Sequence, residues 1–230
     1  MKKKTKLCVY SLGIILLSLM FSNSCSNDEN NTTNVASNTV RDIDSNLYHT
    51  ITIGTQVWMV ENLKTTKFRN GNPIPMVFDS AAWCNLTTGA FCNYDNTDSN
   101  YKTYGRLYNW FAVDDYRNLA PPGWHVSTLD DWSTLINYLG GASVAGAKLK
   151  EIGFTHWSDP NTGATNLSGF TALPGGGRNN FGSFYGMGHN GFWWSTAINS
   201  HYYINYNGTL VGKIGIENQY GFSVRCIKNK

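Results

Sequence analysis

The side chains best suited to chemistry are few and scattered in this 230-residue chain. His49, His125, His156, His189 and His201 form no H-E-x-x-H pair, so the two imidazoles that one helical turn would offer to zinc are missing. No G-x-S-x-G elbow exposes a serine nucleophile, and no glycine-rich loop ends in the Lys-Ser/Thr that cradles phosphates. Gly175-Gly176-Gly177-Arg178 has the glycines of an anion-binding turn, but it follows Pro174 and no helix opens behind it, so it reads as a tight loop. Asp114-Asp115 and Asp130-Asp131 are adjacent carboxylates. Neighbours on a helix or turn point apart, and acids at a helix start serve its dipole. The chain is expected not to be an enzyme.

Binding is better represented. Asp95, Asp98 and Asn100 gather oxygen ligands within six residues, as a calcium loop would. Their spacing departs from the EF-hand pattern, and an Asx-turn loop without metal is the simpler expectation. Farther on, Tyr185, Phe192, Trp193, Trp194, Tyr202, Tyr203 and Tyr206 alternate with asparagines. Flat rings cover the apolar faces of a sugar or peptide while amide and guanidinium donors satisfy its polar atoms. The expected ligand set is therefore Arg178, Asn179, Tyr185, Trp193 and Trp194, against the plainer possibility that these rings are core.

Such residues need elements to hold them. Thr50–Ile53 and Gln56–Val60, joined by Gly54-Thr55, alternate as a β-hairpin. From Tyr104, the apolar Leu107, Trp110, Phe111 and Val113 suggest one short buried helix, stopped by Ala120-Pro121-Pro122-Gly123. Ser127 or Thr128 caps a second helix, with Leu129, Trp132, Leu135, Ile136 and Leu139 on one stripe before Gly140-Gly141. A weaker helix spans 144–152. Short strands follow around 192–196, 202–206, 210–214 and 221–227, with Asn207-Gly208 as a type I′ hairpin signal.

The first residues describe an export leader. Lys2, Lys3, Lys4 and Lys6 precede a 15-residue apolar run, Leu7–Phe21, shorter than the roughly 20 residues that span a bilayer. Ser24-Cys25 follows, so residues 1–24 read as a lipoprotein signal peptide, and Cys25 as the lipidated residue that anchors the chain to a membrane. Residues 25–45 then form a flexible tether, poor in apolar side chains, and 46–230 a single domain. Asp28-Glu29 resembles the signal that sends such lipoproteins to the outer surface of Bacteroidetes-type bacteria. Removal of the leader leaves 14 basic and 15 acidic residues, which excludes a nucleic-acid partner. In an oxidising compartment, Cys84, Cys92 and Cys226 should supply one disulfide, and spacing leaves both Cys84–Cys92 and Cys92–Cys226 open.

Several phrases carry a resemblance. Ile53–Leu63 (IGTQVWMVENL), Tyr104–Trp110 (YGRLYNW), Ala120–Val126 (APPGWHV) and Gly221–Cys226 (GFSVRC) are joined by Ala147–Lys150, Phe170–Gly176 and Trp193–Thr196. Together these resemble the Fibrobacter succinogenes major paralogous domain family across residues 50–228. That family is similar to the formylglycine-generating enzymes, which implies an α+β, C-type-lectin-like domain with short antiparallel strands, two or three short helices and long ordered loops. The family pattern has cysteines at the positions of Cys92 and Cys226, which favours that pair, while Cys84 departs from it. The related copper oxidases need two nearby cysteines, and the related iron enzymes need H-x-x-x-H-x-E; neither stands here, and fold similarity alone carries no activity across. The resulting expectation is an outer-membrane, surface-displayed lipoprotein whose non-catalytic domain binds glycan or protein without a cofactor. The alternatives are a fimbrial or surface-layer assembly component and, third, a metal-dependent oxidase.

Overall fold

The computed structural model describes residues 38–230. The expected signal peptide, Cys25 and most of the expected tether lie outside the described residues. Within the described residues, strand structure is already present before position 46. Thr39–Arg41 forms β1, pairing antiparallel with β2, Leu47–Ile53. Between them, Asp42 closes the turn by accepting from the backbone N–H of Asp44 and Asn46 and from the Tyr48 hydroxyl.

The fold is mixed α/β, mostly sheet, with a few short helices. The predicted hairpin is present as β2 and β3, Gln56–Met59, with Ile51 facing Trp58. The next elements are α1 (Ser80–Cys84), β4 (Phe91–Cys92), α2 (Asp98–Tyr104), β5 (Leu107–Tyr108), α3 (Trp110–Val113) and β6 (Trp124–Val126). The helices α4 (Leu129–Tyr138) and α5 (Ala142–Leu149) follow, then β7 (Gly175–Arg178), β8 (Phe184–Met187), β9 (Asn190–Trp194), β10 (Ser200–Asn205), β11 (Val211–Gly215) and β12 (Cys226–Lys228). One five-stranded sheet has the order β1-β2-β3-β12-β6, a second β11-β10-β9-β7-β8, and β4-β5 is a small ribbon. The segment Gly221–Ser223, which leads into β12 of the first sheet, bridges to the second sheet at Arg178 and Trp193 and to the ribbon at Tyr108. Only the end of the expected 221–227 strand is therefore a strand; its start is this seam.

Alternation along the central strands divides the interior in two. Successive side chains point to opposite faces, so Trp58, Trp193 and Ile227 enter one core beneath α4 and α5. Their neighbours Met59, Trp194 and Cys226 enter the other, with Tyr108 and Phe222. The first core is a cluster of rings, with Trp132 stacked on Tyr202 at 4.7 Å and tilted against Trp58 at 5.5 Å.

The second predicted helix is α4, with Thr128 as its cap. The Thr128 hydroxyl accepts from the Asp131 N–H, and the Asp131 carboxylate accepts from the Thr128 N–H, which satisfies two helix-end donors at once. The helix expected from Tyr104 is replaced by three elements. Gly105 ends α2 at φ 78°, where a Cβ would lie 2.6 Å from Asn62 Cβ. Leu107-Tyr108 then pair with β4, and the Asn109 side chain caps the single turn of α3. The expected loop of three glycines is also corrected: Gly175–Gly177 is a buried strand. A Cβ at Gly176 would sit 2.5 Å from the Tyr185 carbonyl oxygen and one at Gly177 2.7 Å from the Phe222 ring, so glycine is what admits the strand. The Asn207-Gly208 hairpin signal fails in its form. The last register pair of β10 and β11 is Ile204 with Val211, leaving a six-residue connection rather than a two-residue turn. Among the described residues no helix is long and apolar enough to cross a membrane.

Candidate ligand-binding cleft

The ring and arginine cluster expected to bind ligand is split by the fold. Trp193 and Trp194 have no exposed surface. The Trp193 indole donates to Asn62 Oδ1 at 2.9 Å and that of Trp194 to the Tyr108 carbonyl at 2.7 Å. Arg178 is equally buried and donates to the carbonyls of Val77, Phe78 and Gly182 at 2.7, 2.7 and 2.9 Å. Its guanidinium lies over the Trp83 and Phe184 rings. These three residues are corrected to structural roles. Pairing β7 in the sheet interior carried Arg178 inward, and the pleat sent the two tryptophans into the two cores.

Asn179 and Tyr185 are brought together. They line a cleft of about 310 Å³ with Phe192, His201, Ile214, Ile216 and Tyr220. The rings come from one face of the second sheet: Tyr203 opposes Phe192, and His201 opposes both Trp194 and Ile214. Tyr185 packs against Phe192 at 5.4 Å and edge-on to Tyr220 at 6.5 Å. Asn179 Oδ1 accepts from the Phe181 and Ser183 N–H groups, which fixes the β7–β8 turn beside the cleft. Asn199, Gly215 and Glu217 line an adjoining depression of about 360 Å³ that shares Ile216.

The polar atoms around these rings are uncommitted. Asn179 Nδ2 and the hydroxyls of Tyr185 and Tyr220 have no hydrogen-bond partner among the described residues. Burial raises both tyrosine pKa values, so the hydroxyls stay protonated and can donate. His201 is 3% exposed and its Nδ1 is without a partner. Burial lowers its pKa to about 4 against the opposing effect of a hydrogen bond with the Ile214 backbone. Nδ1 is therefore a buried polar atom with no partner, able to donate or accept according to the ring tautomer. Sequence reading missed His201, Tyr220 and the two isoleucines as cleft residues, and named Phe192 among the candidate rings without placing it in the ligand set. The two-residue alternation of 201–205 held the signal for His201.

The remaining expected sites are arranged as follows. Asp95 and Asn96 sit in a 3₁₀ turn with φ 50° and 53°. Asp98 accepts from Asn93 Nδ2 at 2.9 Å, and the Asn100 amide donates to the Tyr94 carbonyl at 3.0 Å, so local bonds close this segment. Among the described residues no three His, Cys, Asp or Glu gather to hold a metal. Both expected disulfides are corrected, for Cys84, Cys92 and Cys226 are all free. Cys92 lies on β4 in a small cluster with Trp83, and Cys226 on β12 in the Tyr108 core, so the pair belongs to different packing units. Burial pushes each of their thiols up to about 12, with Arg178 drawing Cys92 the other way. Histidines pair with carboxylates at His49–Glu61, His125–Asp131 and His156–Glu151. Asp131 is already spent on the α4 cap.

The phrases that are so distinctive in the sequence meet at one buried side chain, away from the cleft lining. Asn62 Oδ1 accepts from Arg225 Nε and Nη2 at 3.0 and 2.8 Å and from the Trp193 indole. Its Nδ2 donates to the Tyr104 carbonyl and to Ser223 Oγ. Arg225 Nη1 donates to the carbonyls of Met59 and Phe170, whose ring lies beneath the guanidinium. This buried network ties distant segments of the chain together and is separate from the surface cleft. The family model of the Fibrobacter succinogenes major domain matches residues 51–228, and the chain belongs to that family. No curated protein and no solved structure gave a match.

Proposed function

We propose that this chain is a non-catalytic recognition domain that takes a glycan unit in the Tyr185–Tyr220 cleft, displayed on the outer membrane surface through a lipid on Cys25. The observation that carries this reading is the pairing of half-buried rings with unspent polar atoms. Tyr185, Phe192 and Tyr220 offer apolar faces, while Asn179 Nδ2, two phenolic hydroxyls and His201 Nδ1 await partners. At about 310 Å³ the cleft is at the lower end of the roughly 300–1,000 Å³ of small-molecule sites. A ring-lined, shallow site with several hydrogen-bonding groups suits a sugar, whose C–H faces stack while its hydroxyls bond. The α+β body with long ordered connections is consistent with a C-type-lectin-like fold. The Cys25 anchor, surface location and absence of a resident cofactor complete the reading from the leader and the scattered titratable residues.

A protein ligand on the same face is the second reading. Phe181, Ile198 and Ile214 are exposed apolar side chains in the turns and strand around the cleft. A glycan array on the full chain, beside Tyr185→Ala and Tyr220→Ala, separates the two. Saccharide binding lost in both variants supports the proposal. Retention of an envelope protein by wild type and variants alike, with no saccharide bound, refutes it.

A further inference from the structure

We infer that the cleft selects an uncharged saccharide over an anionic one, and that a ligand hydroxyl completes the hydrogen bonding of His201 Nδ1. This rests on the glycan reading above and adds the charge of the ligand and the group that recognises it. Among the described residues no Lys or Arg lines the cleft or its adjoining depression. The nearest cations in sequence are spoken for: Arg178 is bonded to three carbonyls, and Lys213 faces the side of β11 that Tyr202 shares, away from Ile214. The one charged residue among the described lining is Glu217, an acid. A carboxylate or sulfate entering here would give up water for rings and a like charge, with no described cation in return.

His201 sharpens the argument. Its ring lies 4.5 Å from Phe222 and 5.8 Å from Phe192, so it is clamped among rings. Its Nδ1 is buried and has no partner. A buried polar atom without a partner favours a ligand group that can complete the hydrogen bond in either sense. A hydroxyl both donates and accepts, whereas an ionised carboxylate or sulfate only accepts. The two tyrosines and Asn179 supply donors for the acceptor side of the same hydroxyls.

The test is an equilibrium titration of the full chain with matched probes: neutral gluco-, manno- and galacto-oligosaccharides against oligoglucuronate and oligogalacturonate. At least one neutral series should bind, with its uronate counterpart at least tenfold weaker. His201→Phe should weaken the neutral ligand by roughly tenfold, the scale of one lost hydrogen bond. His201→Asn, whose amide oxygen stands near the Nδ1 position, should retain more. Thermal melts check that each variant folds, and the neutral-to-uronate ratio on the wild type decides the matter without any variant. Equal or tighter uronate binding, or full affinity in a folded His201→Phe, overturns this inference and leaves the cleft reading standing. No saccharide of either kind bound at millimolar concentration overturns both.

Discussion

Replacing Asn62 by Leu keeps the branched outline and the number of side-chain heavy atoms and deletes the acceptor on which three buried donors converge. Arg225 Nε, Arg225 Nη2 and the Trp193 indole bond to Asn62 Oδ1 at 3.0, 2.8 and 2.9 Å, and Arg225 is 1% exposed. Each buried donor left unpaired costs about 1–3 kcal/mol, and more where the donor is a charged group such as Arg225. Arg225 keeps the Met59 and Phe170 carbonyls through Nη1, so the contributions do not simply add, and the expected loss is about 4 kcal/mol. Against a total stability of about 5–15 kcal/mol this is severe but measurable. Urea unfolding should show the midpoint falling by about 2 M at an m-value near 2 kcal/mol/M. The double variant Asn62→Leu/Arg225→Met should recover part of the deficit, since removing both partners leaves fewer orphans than removing one. A single-variant loss below about 1 kcal/mol, or a double variant whose loss equals the sum of the singles, would refute the hub.

Other outcomes are expected on the same footing. Peptide mapping after maleimide treatment of the native full chain should find Cys84 labelled and Cys92 and Cys226 protected until denaturant is added, because those two are free yet buried; a Cys92–Cys226 bridge in the unreduced protein would contradict the packing. Thr128→Ala should cost about 1 kcal/mol by removing the hydroxyl half of the α4 cap, read as a lower melting temperature. His201 titrates at about 4 when folded and near its ordinary 6.5 when unfolded. The unfolded chain therefore binds the extra proton first, and its contribution, full above pH 6.5, falls away down to about pH 4 by up to about 3 kcal/mol. Asp131, held below the usual carboxylate range, contributes stability that is lost below this window, as pH falls from about 3.8 downward. Comparison with His201→Phe isolates the histidine: the variant should flatten stability between these values, and an unchanged slope would exclude the assignment.

Local signals were legible where the chain decides structure locally. The β2–β3 hairpin and the Thr128 cap follow from alternation and from a side chain bonding three residues ahead. Sequence failed where partners are distant. Nothing near Gly175–Gly177 tells that Phe222 and the Tyr185 carbonyl will press on it, yet those contacts turn an apparent loop into a central strand. Asn207-Gly208 has turn chemistry, but the flanking segments take another job. Lys150 Nζ reaches the carbonyls of Asn205, Tyr206 and Gly208, gathering the connection around a buried cation instead of a tight turn. Cysteine spacing could not separate two packing clusters. Composition announced the rings around 185–206, but burial depends on the pleat, and Phe192-Trp193-Trp194 sends consecutive rings to opposite faces.

That division has a consequence for reading function from the family. Asn62, Tyr104, Trp193, Ser223 and Arg225 all lie in the phrases that carry the resemblance, and all meet in one buried network. Asn179, Tyr185, Phe192, His201, Ile214, Ile216 and Tyr220 lie outside those phrases, and they line the cleft. A network of satisfied buried polar groups fixes one backbone arrangement, whereas half-exposed side chains on a finished sheet face can change without disturbing it. On the proposed glycan reading, the buried network holds the scaffold while the outward side chains of β8 to β11 and the Ile216–Tyr220 turn set the ligand. Exchanging those side chains between two members should transfer ligand preference while leaving stability nearly unchanged, and exchanging Asn62 or Arg225 should do the reverse.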